Sequence, residues 1–398
     1  MRRWMLTAVA LLVAALPVAQ LGAVDFGGRL RSQVDFSQDD DTRAQFKLGA
    51  WAAFEPALAG DATAQFLIEG TLLTVTDTYT IADLEYLRAG LVLPGTLGPR
   101  SVLGIEAGRY QLADATGLVI DHRIDGLQVI LDAPWLTFRA AAGHSGLLLK
   151  DNATIRMSAS DLADLLDDDT ITASPRIVLL SEARFPELIG RNSLVTGGVV
   201  QFDRRSGDGD RIDTQYGYLG LDGIIARNLY YDAVGVIGGV QYRENAGDDA
   251  RTGVAVAGLA RLTHFSPVAP GAIVQLTTLY ASGSDSTFDF YTPITQPDTG
   301  LLEVTALSDL FLASLDLSFQ PLARRFGDGF PQLALGAYGA GVWNANVGTA
   351  DSYRGSELGL RVTARPFSDL GGSVRLASFL PDDGEARFSG RIEISTSF

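Results

Sequence analysis

Histidine is the side chain best suited to proton transfer near neutral pH, and this chain has only three, His122, His144 and His264. His144-Ser145 is the one juxtaposition that suggests a nucleophile, a hydroxyl activated by an imidazole. Neighbours on an extended segment point apart, however, and no carboxylate stands by to orient the ring. Each histidine also falls in a stretch that reads as a loop or turn. Metal chemistry fares no better. The chain has no cysteine, hence no thiolate site and no disulfide. Asp-rich stretches such as DRRSGDGDR lack the spacing of a full calcium loop. The sequence therefore predicts no enzyme, no metal and no cofactor.

Two other groups of charges carry more. Asp161, Asp164, Asp167, Asp168 and Asp169 crowd into the segment from about 144 to 175. Folded into a channel, that segment would be an acidic constriction, repelling anions and favouring cations or neutral polar solutes. Left outside, it would be a solvated loop. The second group comprises Arg29, Arg31, Glu69, Arg109, Arg139, Asp316, Glu357, Arg361, Arg391 and Glu393. These lie in segments whose alternate positions are apolar. Facing one another across a water-filled wall, such rows would set a transverse field that orients dipolar solutes; the simpler reading is that they pair and keep the wall wet.

The segments that position these charges alternate with period two. In VDFGGRLRSQVDFS, Val24, Phe26, Leu30, Val34 and Phe36 share one face, and Asp25, Arg29, Arg31, Gln33 and Asp35 share the other. FLASLDLSFQ and ELGLRVTAR repeat the pattern. Helical periodicity shows only in SASDLADLLDDD. This reading predicts an all-β chain, a transmembrane antiparallel β-barrel of about 18 strands, with 16 as the alternative count. A dry sandwich core would want more Leu, Ile and Phe than this, whereas a wet lumen tolerates Arg361 and Glu69 in mid-strand. The connections on one side are long and Asp-rich and those on the other short and Pro-rich, as in barrels with long outer loops and short periplasmic turns.

Composition fits an exported membrane protein. Formal charge is −16, the sequence pI is near 4.6 and mean hydropathy is +0.15. An acidic chain makes a poor nucleic-acid binder, so none is expected. MRRWMLTAVALLVAALPVAQLGA has the form of a cleaved signal peptide over residues 1–23. That leaves residues 24–398 as one barrel domain, with a long outer loop at about 144–175.

RIEISTSF resembles the C-terminal signal of bacterial outer-membrane proteins, carried by Phe388, Ile392, Ile394 and Phe398; Thr396 stands where an aromatic is commoner. The resemblance implies insertion into outer-membrane lipid by the barrel assembly machinery. The stretch AGRYQLADATGLVIDHRIDGLQVIL is similar to a feature of porin-like and alginate-export-like barrels, which would place Arg109, Arg123 and Asp125 near the outer mouth. The expectation is a passive channel for small hydrophilic solutes, with a homotrimer as a possible assembly for a porin of this size. The alternative is a structural or adhesive surface protein with a closed lumen and partner-binding loops.

Overall fold

The computed structural model describes residues 24–398, apart from 39–41, 77–78, 168, 206–208, 246–247, 268, 270, 284–289, 303–305, 324–328, 330 and 346–351. The expected leader at 1–23 and Asp168 lie outside the described residues. The chain forms eighteen antiparallel strands. The first six are β1 (Val24–Ser37), β2 (Arg43–Phe54), β3 (Thr63–Val75), β4 (Tyr79–Pro94), β5 (Val102–Ala113) and β6 (Asp121–Ala133). The next six are β7 (Leu136–His144), β8 (Arg176–Ile189), β9 (Asn192–Asp203), β10 (Arg211–Ala226), β11 (Leu229–Arg243) and β12 (Arg251–Phe265). The last six are β13 (Ile273–Ala281), β14 (Leu310–Phe319), β15 (Gln332–Trp343), β16 (Tyr353–Arg365), β17 (Leu370–Pro381) and β18 (Arg387–Ser397).

Each strand pairs with its neighbours in sequence, and β18 returns to β1 with Leu30 opposite Thr396 and Val34 opposite Ile392. The sheet is therefore closed, which removes the unpaired edge that a bilayer would not tolerate. The start of β1, the end of β18 and one set of turns lie at one end, called here the terminal end. The longer loops lie at the far end.

Alternation decides which face is which. Phe26, Leu48, Leu127, Leu219, Ile237, Leu317 and Leu360 are all exposed, a band of large apolar side chains that a soluble protein would bury. The polar rows face the lumen. His122, His144 and His264 lie within β6, β7 and β12 rather than in loops; the strands run further toward their ends than turn composition suggested.

The lumen is not uniformly wet. One buried apolar cluster joins Tyr110, Leu112 and Ile124 to Val178, Val199, Leu279, Leu310 and Val342 on the inner wall. It is completed by Leu118, Val119 and Ile120 from one far-end loop, by Tyr291, Ile294, Leu301 and Leu307 from another, and by Ile155 from the segment between β7 and β8. Among the described residues it takes nothing from β1–β4 or β18. The single α-helix among the described residues, α1 (Ala159–Leu166), is capped by Ser158, whose hydroxyl accepts from Asp161 N while the Asp161 carboxylate accepts from Ser158 N.

Candidate functional site

The lumen is shaped by two far-end loops that fold inward and meet. Residues 114–120 make a tight turn in which Asp114 accepts from the backbone N–H of Thr116, Val119 and Ile120. From the other side come residues 290–302. Ile294 N donates to Val119 O at 2.8 Å, Thr295 N to the same carbonyl at 3.2 Å, and Tyr291 Oη to Leu118 O at 2.9 Å. Asp121 N in turn donates to Thr295 Oγ1 at 2.7 Å. Burial holds the Tyr291 phenol well above its ordinary range, with Tyr216 and Asp114 adding to the shift. The second loop is fixed to the wall by Tyr216 Oη, which donates to Thr292 O, and by Glu357, which accepts from Leu302 N. Glu357 is fully buried and also accepts from Tyr338 Oη.

To bring its turn inward, the β5–β6 hairpin leaves the wall. β4 pairs with β3 along nearly its whole length but with β5 only from Leu87 to Pro94. β6 loses β7 beyond Asp125, while β5 and β6 stay paired as far as Ala113 and Asp121. Charges fill the seam. Arg109 is forked onto Asp125 with both N–O distances at 2.9 Å, and its Nη1 donates to Leu84 O on the abandoned edge of β4. Arg123 lies 3.2 Å from Glu85, and Glu85 also accepts from Lys47. A bidentate guanidinium suits this place because it can satisfy a carboxylate and a stranded carbonyl together. Further along, Arg139 binds Ala113 O, Gln128 and Glu182, and Glu182 accepts from Ala115 N and Tyr218 Oη.

The described part of 145–175 spans the far end from β8–β10 to β4–β6, where Asn152 donates to Asp83 at 2.7 Å and Leu147 O accepts from Arg109 at 3.0 Å. Asp161 is 4% exposed, 2.5 Å from Arg176 and 2.8 Å from Arg205. Burial alone would raise its pKa, but Arg176, with the hydrogen bonds from Arg176, Met157 N and Ser174, holds it below the ordinary Asp range. Asp164 pairs with Arg205, and Asp203 with Arg176. Asp210 accepts from the first N–H groups of α1, Ala159 and Ser160, where a carboxylate also complements the helix dipole. Asp167 accepts from Thr170 and Asp169, which lower its pKa. The negative charge of Asp161 and Asp164 is thus largely answered by arginine.

On the wall from β16 through β18 to β1, the arginine row and its partners stay accessible, whereas Glu357 on β16 is buried. Arg361, Arg375 and Arg391 stand directly opposite one another on β16, β17 and β18, and Arg391 stands opposite Asp35 on β1. Arg391 pairs with Asp35, Arg361 with Asp316 and Arg31 with Glu393. The arginines of these pairs remain 41%, 37% and 46% exposed, against 0% for Arg176. Arg29 and Arg375 have no ion pair among the described residues. Toward the terminal end the wall opens into a niche of about 310 Å³ lined by Arg29, Arg365, Ser373, Glu393 and Ser395.

These features sit on a known scaffold. The chain is similar to Pseudomonas aeruginosa OccD3 (OpdP) at a TM-score of 0.62 and 11% identity, covering 96% of this chain and 93% of that one. P. aeruginosa OpdQ gives 0.62 and 12%, covering 95% and 99%. The P. aeruginosa outer membrane protein OpdK gives 0.61 and 12%, covering 95% and 100%. The fold is that of a porin-like outer-membrane barrel. No protein-family model matches the sequence, and no curated protein matches it.

Within the porin-like barrel the sequence-predicted charges divide into groups. Arg31, Asp316, Arg361, Arg391 and Glu393 form the accessible ion pairs just described, beside Arg29. Glu69 faces the lumen at a bulge opposite Tyr86. Arg139 and Glu357 hold the inward loops, and Arg109 closes the seam at 8% exposure. Of the segment expected at about 144–175, Ile155 joins the buried luminal cluster beside residues from 114–120 and 290–302. The lumen is crossed by 114–120 and 290–302, whose contacts are long-range hydrogen bonds that no local pattern announces. Arg375 was legible in GGSVRLASF by the same alternation but was overlooked. Arg176 follows Pro175 with no local hint that it is buried.

Proposed function

We propose that the chain is a channel in a bacterial outer membrane for passive diffusion of small hydrophilic solutes, and that its accessible wall favours anions. One observation carries this: Arg361, Arg375 and Arg391 in register on adjacent strands. Like charges directly opposed destabilise a sheet, by tenths of a kcal/mol to about 1 kcal/mol each. A row that contacts solutes explains why the cost is tolerated. The buried cluster draws mainly on β5–β15 and touches the arginine wall only at Phe379 on β17, which supports the arginine side as the path. The crystal structure of OpdK with vanillate, an organic anion, is consistent in kind. The same reading carries no catalysis, export by a cleaved leader over 1–23, a single barrel domain over 24–398, insertion by the barrel assembly machinery, and a homotrimer as the working assembly.

Planar-bilayer recording tests it. Ohmic steps with a reversal potential displaced toward chloride in a KCl gradient are expected. The second reading, a surface protein with a closed lumen, draws on the contact between the loops at Val119 and Ile294. It predicts insertion without steps, and that result would retire the channel.

A further inference from the structure

The turns at the terminal end share a pattern that lumen chemistry does not use. Four successive turns, from β4 to β11, carry large apolar side chains out in the open. Leu97 is 59% exposed, Trp135 61%, Ile189 62% and Ile225 57%. Three of these four turns also carry an exposed arginine, Arg100, Arg191 or Arg227, and none of the three makes an ion pair among the described residues. The acidic residues beside these turns are Glu187, Asp132, which accepts from Thr137, and Asp222, which is paired with Arg184. The far-end loops have the opposite character, as in DDGEA over 382–386 and the acidic residues of α1.

An apolar side chain followed within two or three residues by an unpaired guanidinium suits the level where acyl chains give way to phosphates. The apolar group enters the membrane, and the long arginine stem lets its head reach the phosphodiester. The arc is also continuous with the lipid-facing band on the same strands, at Leu87, Leu127, Leu179 and Leu219. We infer that this arc of the terminal rim, from the β4–β5 turn to the β10–β11 turn, is a binding surface for anionic phospholipid headgroups. A docked water-soluble protein would not need continuity with the lipid-facing band, and a neutral lipid would leave the arginines unanswered.

Trp135 lies on the arc and reports on it. The full-length folded protein in detergent micelles is titrated with brominated phosphatidylglycerol or brominated phosphatidylcholine, and tryptophan fluorescence is followed. The W135F variant shows how much of the quenching belongs to this site. Phosphatidylglycerol should quench the Trp135 component at a lower mole fraction, by a factor on the order of five. R100Q/R191Q/R227Q, three changes at exposed turn positions, should bring its curve onto that of phosphatidylcholine without changing the latter. Equal curves in the wild-type protein, or a preference that survives the triple substitution, would overturn the inference. So would a Trp135 component that neither lipid quenches, which would leave the arc to a protein partner. None of these readouts depends on conductance, so this surface and the channel stand or fall separately.

Discussion

The ring of Phe398 occupies the space that a side chain on Gly28 would need. A Cβ added to Gly28 would run into Cζ and Cε2 of Phe398. The two residues also exchange backbone hydrogen bonds, Gly28 N to Phe398 O at 2.8 Å and Phe398 N to Gly28 O at 3.1 Å. The seam that closes the barrel therefore ends on an aromatic laid over a glycine. Gly28→Leu should destabilise the folded barrel by about 1–3 kcal/mol through overpacking. Gly235→Ala, at an outward position with open space around it, should be nearly neutral. Urea titration of both variants in lipid vesicles checks this; equal midpoints would show that Phe398 is free to move aside.

Arg375 is the member of the arginine row without an ion pair, so its charge is the one most available to solutes. Arg375→Glu should shift selectivity toward cations, with the chloride-to-potassium permeability ratio falling by a factor on the order of two to five. Stability should hardly change, or should rise, because the substitution breaks a run of like charges between Arg361 and Arg391. Reversal potentials in a salt gradient give the ratio. An unchanged ratio would move the conduction path away from this wall.

The architecture was legible because the barrel obeys a rule written residue by residue. In FLASLDLSFQ and RIEISTSF each side chain declares its face, and the strand number follows from counting such runs. Pairing of the last strand with the first was also readable, since a regular strand needs partners on both edges. The constriction was not. Nothing local in DATGLVI says that Val119 O will accept from Ile294, because that bond joins loops far apart in sequence. The partners of the acidic segment were not legible for a related reason. Asp161 and Asp164 read as free negative charge, yet Arg176 and Arg205, which answer them, lie on β8 and in the loop after β9.

Asp161 should tether α1 over a wide pH range. Its carboxyl titrates below the ordinary Asp value, so it contributes stability that is fully present above the unfolded-state pKa. That contribution is lost only as the pH falls through the lower, folded-state value. Protease cleavage within 145–175 should therefore be constant from neutral pH down to about pH 5 and rise only in stronger acid. Asp161→Asn should show high cleavage even at neutral pH, because it leaves Arg176 buried with one partner fewer, a loss of about 3–5 kcal/mol at most, since Asp203 remains. A variant as resistant as the parent protein would mean that the Asp210 cap alone holds the helix.

The contact between the inward loops should set how steadily the channel conducts. Tyr291 is fully buried, and its hydroxyl donates to Leu118 O. Tyr291→Phe keeps the ring and removes that bond, weakening the contact by about 1 kcal/mol. The bonds from Ile294 N and Thr295 N to Val119 O remain, so the loops should separate more often without losing their places. Single-channel records should show more frequent current fluctuations at nearly the same mean conductance. Thr295→Ala, which frees Asp121 N, should add to the effect because it loosens the same junction. Records from the double variant as quiet as those of the parent protein would show that the loops are held by the apolar cluster around Ile294 and Leu307 rather than by their hydrogen bonds.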